Sequence, residues 1–190
     1  MTSGRVRRFD PERRDRIIDS CLRVIAEQGV AGASHRTIAA AADVPLGSMT
    51  YHFSGMDELL HEAFERFTTS VSDRFEERMA QAGSADEARE AVVRTILDAA
   101  DPRETVLSHE LYTLAAREPS FRDLTHGWMA RSRRGLERHF DPETARLLDA
   151  LIEGLQIHRA LDTQERDPSD ARIAVARLTH AATGPTPAAG

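Results

Sequence analysis

Asp-Pro recurs at four points along this chain, in Asp10-Pro11-Glu12, Asp101-Pro102-Arg103-Glu104, Asp141-Pro142-Glu143 and Asp167-Pro168-Ser169, and an amphipathic run follows each one. Aspartate accepts hydrogen bonds from the free N–H groups of a first helical turn, proline fits there because its missing N–H would have no partner anyway, and a nearby acid complements the helix dipole. Ser54-Gly55-Met56-Asp57 and Ser84-Ala85-Asp86-Glu87 add two starts with capping-box spacing. Between these starts apolar residues recur every three or four positions, as in Ile17, Cys21, Val24 and Ile25, or Leu60, Phe64, Phe67, Val71 and Phe75. Strand-like alternation is absent and aromatic residues are only 5%, so the expected fold is all-α.

The punctuation predicts about nine helices. The first ends at Gln28-Gly29, where glycine tolerates positive φ. Short segments follow at about 36–42 and 46–53. A long one runs to about Ala82 and is broken by Gly83-Ser84. Further helices are expected to about Ala100, from 101 to about Glu118, from Ser120 to Phe140, from 141 to about Leu161, and from 167 to about Ala182. The expected organisation is a helix-turn-helix domain with a basic arm at 1–55, joined by a long helix to an α-helical domain at 56–182, with a disordered tail at 183–190. The tail, Thr183-Gly184-Pro185-Thr186-Pro187-Ala188-Ala189-Gly190, lacks the large apolar residues that packing requires.

With 190 residues, 41% of them hydrophobic, the chain can bury a substantial core. No apolar run approaches the roughly 18 residues of a membrane span. No signal-peptide h-region follows the basic start, and the expected location is the cytoplasm. Cys21 is the only cysteine, which excludes an internal disulfide; its apolar neighbours Ile17, Ile18, Leu22 and Ile25 make it a small core filler. All 25 Lys+Arg residues are arginine, and the net charge of −6 is unevenly spread. Residues 1–55 hold 8 Arg against 6 acids, whereas 56–190 hold 17 Arg against 25 acids, so only the front end favours phosphate.

That front end contains two short helices separated by a tight turn, Thr37-Ile38-Ala39-Ala40-Ala41-Ala42-Asp43-Val44-Pro45-Leu46-Gly47-Ser48-Met49-Thr50-Tyr51-His52-Phe53. Ile38, Ala42, Val44, Met49 and Phe53 can share one core. The alanines permit close helix approach and Pro45 stiffens the turn. Gly47 leaves room for backbone near DNA or near the preceding helix, and Ser48, Thr50, Tyr51 and His52 are left on the outer face, where they can meet phosphates and base edges. This is helix-turn-helix layout.

In Thr37, Ile38-Ala39, Val44, Gly47, Tyr51-His52-Phe53 and Asp57-Glu58-Leu59-Leu60 the segment resembles the TetR family of regulators, strongly over about 10–62. Glu110-Leu111-Tyr112 with Ala115-Ala116-Arg117-Glu118-Pro119 is more weakly similar to a segment of that family's variable ligand domain. The turn departs from the family pattern in Asp43 for Gly and Pro45 for a hydroxyl residue; Thr50 and Met56 replace a phosphate-binding Tyr and Lys. The resemblance implies a dimeric regulator that binds near-palindromic operator double-stranded DNA and responds to a small-molecule effector. The candidate DNA contacts are Arg36, Thr37, Leu46, Gly47, Ser48, Thr50, Tyr51 and His52, with Arg36 placed to reach a base edge. The arginines at 5, 7, 8, 13, 14 and 16 could add contacts to flanking phosphates or the minor groove.

Chemistry other than DNA binding has little support in the sequence. The eight histidines show no i, i+4 pair and no His-Glu-x-x-His run, so no metal is expected. No phosphate loop, nucleophile elbow or activated cysteine stands out, so neither a cofactor nor an enzymatic activity is expected. The favoured function is a repressor released from its operator by a small apolar ligand. The alternatives are an activator, a ligand-independent DNA binder or, in a different class, an all-α small-molecule-binding or hydrolytic domain.

Two further expectations concern the rear domain. Leu147, Leu148, Leu151, Ile152 and Leu155 make one helix apolar over more than one face. With Ile173, Val175 and Leu178 of the last helix they predict a two-fold dimer interface. The large side chains Phe64, Phe67, Leu111, Tyr112, Trp128 and Leu155, with His109 and Gln156 as polar groups, are the candidate effector pocket.

Overall fold

Each Asp-Pro start within the described residues caps a helix. The computed structural model describes residues 11–98, 101–164 and 167–180. Asp10, Arg5, Arg7, Arg8, the ends of two helices expected near 100 and 182, and the 183–190 tail lie outside them. Asp101 accepts from the Arg103 N–H, Asp141 from those of Glu143 and Thr144 at 3.0 Å, and Asp167 from that of Ser169 at 2.8 Å. These bonds hold the Asp141 and Asp167 carboxyls below the usual range, with Thr144 and Ser169 the main donors.

The helices are α1 (Arg13–Gly32), α2 (His35–Ala41), α3 (Gly47–His52), α4 (Met56–Gln81), α5 (Ala85–Leu97), α6 (Pro102–Arg117), α7 (Arg122–Leu136), α8 (Pro142–Leu161) and α9 (Ser169–His180). A 3₁₀ turn at Pro119–Phe121 leads into α7, so the expected Ser120–Phe140 helix begins later and ends earlier. Nine α-helices and no strand occur among the described residues. Gly29 sits at φ 71°, as its helix-ending position predicts, but the chain resumes one helical turn before Gly32.

Two caps differ from the predicted pairs. The Ser54 N–H and hydroxyl both donate to the Glu58 carboxylate at 2.6 Å, so Glu58 rather than Asp57 closes the start of α4. The complete capping box is Ser34 with Thr37, at the start of α2. A threonine hydroxyl there replaces the Glu or Gln that the usual pattern looks for.

The chain divides into two compact units, Met1–Arg66 and Phe67–Gly190. The division lies inside α4 rather than at its start, because Leu59, Leu60, Ala63 and Phe64 are buried in the front unit. That unit packs Ile17, Ile18, Cys21, Val24 and Ile25 of α1 with Ile38 and Ala39 of α2 and Met49 of α3. Burial pushes the Cys21 thiol up to about 12, which keeps it an unreactive thiol. Arg16 and Arg23, two turns apart on α1, donate to the carbonyls of Ala42 at 3.3 Å and Ala41 at 2.9 Å. They satisfy the orphan carbonyls at the end of α2 and place positive charge where its dipole is negative. Arg66 of α4 bonds the carboxylates of Asp15 and Asp19, tying α4 to α1 within the same unit.

In the rear unit, the core joins Ala88, Ala91, Val92, Val93 and Ile96 of α5, Leu136 of α7, Ala145, Leu148 and Ile152 of α8, and Ala171 and Val175 of α9. This corrects part of the expected dimer face. Leu148, Ile152 and Val175 are buried within one chain, because Ala145, Leu148 and Ile152 recur at helical spacing on the α8 face that meets α5 and α9. Leu151, Leu155 and Leu178 pack half-buried against that core. Leu147 and Ile173 remain exposed, at 49% and 47%.

Candidate functional site

The turn between α2 and α3 is built on a left-handed residue. Asp43 adopts φ 52°, the only positive φ at a non-glycine among the described residues, and the Val44 N–H reaches back to the Ala39 carbonyl at 3.0 Å. Aspartate tolerates this region better than most side chains, though not as well as glycine. Beyond the turn, Ile38, Ala42, Met49 and Phe53 are buried and Val44 half-buried, which assembles the predicted core. The α3 start at Leu46 has no side-chain cap, in keeping with Pro45 standing where a hydroxyl residue is usual.

With Met49 and Phe53 turned inward, α3 presents Gly47, Thr50 and Tyr51 outward, with Leu46 at its start. Tyr51 is 82% exposed and Leu46 56%, large exposures for side chains of this size. The Tyr51 ring stands edge-on to His52 at 4.9 Å, and His52 is half-buried. A Cβ at Gly47 would meet nothing within 4 Å, so no neighbouring helix crowds that position. Arg36 is exposed on α2.

Two expected contacts are placed differently. Ser48 is buried instead of lying on the outer face, because it precedes Met49 on the inward side of a six-residue helix. The Thr37 hydroxyl lies 3.1 Å from the Gly32 carbonyl and within the Ser34 cap, so it positions the start of α2. Of the arm arginines within the described residues, Arg14 pairs with Glu62 and lies 5.0 Å from the Phe53 ring centre, while Arg16 is spent on the Ala42 carbonyl. Each of these two arginines thus has a partner within the chain, while Arg16 stays exposed and the Arg14 side chain is 42% exposed.

The rear unit holds a partly open cleft of about 70 Å³, lined by Val71, Ser72 and Phe75 of α4, Thr95 of α5, Trp128, Met129 and Ser132 of α7, and Asp149, Ile152 and Glu153 of α8. Tyr112 stacks on Trp128 with the rings 5° from parallel and 5.7 Å apart, and its hydroxyl bonds the Glu153 carboxylate. Phe67 meets the same indole edge-on at 5.7 Å. Burial pushes the Asp149 carboxyl up, against a Ser132 hydrogen bond and the charge of Arg133 at 3.9 Å. Glu153 is likewise raised by burial, with the Tyr112 hydrogen bond opposing and the Asp149 charge adding. Tyr112 is raised by its own burial and then by the adjacent Glu153 charge.

Of the expected pocket residues, Trp128 lies in this wall, and Phe67 and Tyr112 pack directly on it. Phe64 is buried in the front unit and is not part of the cleft. Leu111 is fully buried, Leu155 packs on the rear core, and the Gln156 amide donates to the Thr95 carbonyl at 2.8 Å. His109 is half-buried on α6, outside the lining. Sequence reasoning missed the polar wall of Ser72, Thr95, Ser132, Asp149 and Glu153. A signal for part of it exists, since Asp149 and Glu153 are two acids four apart, on one face of a helix, among Leu148, Leu151 and Ile152. No three His, Cys, Asp or Glu side chains converge to hold a metal among the described residues, and no helix there is long and apolar enough to cross a membrane.

Residues 17–63 match the family described as bacterial regulatory proteins, tetR family, and residues 82–181 match the tetracyclin repressor-like C-terminal domain. The HTH-type transcriptional regulator BetI 1 of Chromohalobacter salexigens is 30% identical over 86% of this chain and 87% of its own. The transcriptional regulator SCO7518 of Streptomyces coelicolor A3(2) is 54% identical, with a TM-score of 0.84 over 89% of this chain and 99% of that one. The multidrug binding protein EbrR, solved with ethidium, is 36% identical, with a TM-score of 0.76 over 90% of this chain and 99% of that one.

Proposed function

This chain belongs to the TetR family of helix-turn-helix transcriptional regulators, and on that footing we propose that it is a dimeric repressor released from operator DNA by a largely apolar small molecule. As a member of that family it is a DNA-binding transcription factor and not an enzyme. The observation that carries the DNA-binding reading for particular residues is the outward face of α3. There Tyr51, Thr50 and Gly47 stand exposed over a core that fixes the helix, with Leu46 and Arg36 beside them. Arg36 reads a base edge, while Thr50 and Tyr51 contact phosphate. Ser48 and Thr37 set the pose of the two helices without touching DNA.

The partner copy docks on the exposed apolar positions of α8 and α9, Leu147 and Ile173, with the half-buried Leu151 and Leu178 beside them. Two-fold symmetry then places two reading heads about 34–36 Å apart, or a multiple of it, on a near-palindromic site. The effector enters the Trp128 cleft. That the similar protein EbrR is seen with ethidium, proflavin and malachite green supports a small-molecule effector. α4 contributes Val71, Ser72 and Phe75 to the cleft and continues as one helix to Met56, so a ligand that shifts its rear part changes the separation of the heads. A 100-fold loss of operator affinity needs about 2.7 kcal/mol of difference between the two states.

The test is genome-wide footprinting to find the operator, followed by titration of hydrophobic compounds into the protein–operator complex. Palindromic footprints cleared by a compound that also raises Tm are expected. Compounds that stabilise the protein while leaving operator affinity unchanged would remove induction from the reading, and a Leu147→Glu/Ile173→Glu variant that sediments as wild type would remove this dimer face.

A further inference from the structure

One polar group of the cleft has no partner, and two carboxylates in the same wall have no close cation. Ser72 is 3% exposed, its hydroxyl finds no hydrogen-bond partner, and it lies in the cleft wall. Asp149 and Glu153 stand one turn apart on α8 in the same wall. Glu153 has the neutral Tyr112 hydroxyl as its donor. Asp149 has the Ser132 hydroxyl, and Arg133 only at 3.9 Å with a side chain still 30% exposed. Of the other α7 guanidiniums, Arg131 is engaged by Asp73 and Glu76 of α4 and Arg134 acts on Glu76, while Arg78 is engaged by Asp98 and the Thr95 hydroxyl; among the described residues Arg133 is the one cation whose charge acts on Asp149. The cleft thus holds two carboxylates against one distant, partly solvated cation.

We infer that the effector is an aromatic cation, whose charge sits against Asp149 and Glu153, whose rings take the Trp128–Phe75 wall, and which gives the Ser72 hydroxyl its missing partner. The inference rests on the reading that the rear unit binds an effector and specifies its charge. Covering this wall with a neutral apolar molecule would strip water from the carboxylates with nothing in return. A cation desolvated over an indole beside two carboxylates gains on both counts. Raised carboxyls fit the same picture, since binding a cation would draw them toward the ionised form. The cleft of about 70 Å³ is far smaller than the several hundred Å³ of a drug-sized site. A multi-ring ligand therefore enters by parting the Tyr112–Trp128 stack, which frees Glu153 from the tyrosine as the ligand charge arrives.

The experiment uses two acridines with the same atoms in the ring frame, because EbrR is seen with proflavin, an acridine. The probes are 10-methylacridinium, a fixed cation, and 9-methylacridine, neutral in mildly alkaline buffer. Calorimetric titration of the full chain measures each affinity, and quenching of Trp128, the only tryptophan, reports the site. The cation should bind at least about tenfold tighter than its neutral counterpart, a difference of about 1.4 kcal/mol. Its affinity should rise with pH as the carboxyls ionise. Asp149→Asn and Glu153→Gln should each remove most of that preference while leaving the neutral probe within twofold. No binding of the cation, equal binding of both probes, or equal weakening of both by the variants would overturn the inference. The repressor reading is scored separately, by whether a bound probe of either charge releases operator DNA. Release by the neutral probe alone would keep that reading and sink only the cation.

Discussion

The front and rear units spend their buried space differently. In the front unit no charged side chain is buried among the described residues, the buried polar ones being the small Ser20 and Ser48, and the charged groups that hold it together, Arg14 with Glu62 and Arg66 with Asp15 and Asp19, lie toward its surface. In the rear unit, Ser72, Thr144, Asp149 and Thr179 are buried, and a cleft interrupts the packing. Thr144 and Thr179 have partners in Asp141 and the Val175 carbonyl, so they belong to the scaffold, whereas the Ser72 hydroxyl has none. A reading head has to hold one pose against DNA and gains from a dry, filled core. An effector site gains from polar groups held ready at some cost to stability.

The sharpest way to break this contrast is to hollow the front core. Ile38→Ala removes a fully buried side chain shared by α1, α2 and α3 and should destabilise the front unit by about 2–5 kcal/mol. Chemical unfolding and gel shift together check it, with operator affinity expected to collapse. A loss below about 1 kcal/mol would show a core that relaxes, contrary to the picture of a rigid head.

Less drastic is Arg36→Ala, which should weaken operator binding by about 1–3 kcal/mol and relax preference at one base position per half-site. Binding selection on randomised half-sites reads this directly, and an equal loss for every sequence would reassign Arg36 to phosphate. Asp43→Gly tests the turn. Relieving a left-handed aspartate should stabilise the front unit by about 0.5–1 kcal/mol, seen as a small rise in Tm, and an unchanged or lower Tm would mean that the Asp43 side chain contributes something glycine cannot.

The smallest effect at any one pH is a slope in the rear unit. The Asp149 and Glu153 carboxyls are raised above their ordinary values of 3.8 and 4.5, chiefly by burial. The folded state therefore holds more protons than the unfolded one. Stability from these groups is complete below the ordinary values and is lost as pH rises through the raised ones. The Asp149→Asn/Glu153→Gln variant should gain on wild type steadily as pH rises from 4 to 8 in urea unfolding. A constant difference would mean that the two groups titrate as they do in the unfolded chain.

Much of this was legible in the sequence because it depends on neighbours along the chain. Helix starts at Asp101, Asp141 and Asp167, the break at Gly29, and the inward set Ile38, Ala42, Met49 and Phe53 follow from caps and periodicity that act within a turn or two. Local capping departs from the expected pairs where another residue serves as well, Glu58 for Asp57, and where a threonine takes the place of the usual acid or amide, Thr37 with Ser34. The all-α class and the helix-turn-helix follow from the same short-range rules.

Tertiary structure decided which partner each face meets. α8 is apolar over more than one face, so its sequence could not say that Leu148 and Ile152 turn inward while Leu147 stays exposed; α5 and α9 made that choice. Nor could spacing reveal that Tyr112, forty-one residues from Glu153, would bond its carboxylate, or that Ser72 would be buried without a partner. Periodicity tells which side chains share a face, at the cost of a few dihedral angles. Which face meets which is fixed by desolvation and close packing between helices far apart in the chain, and those terms exist only once the helices have docked.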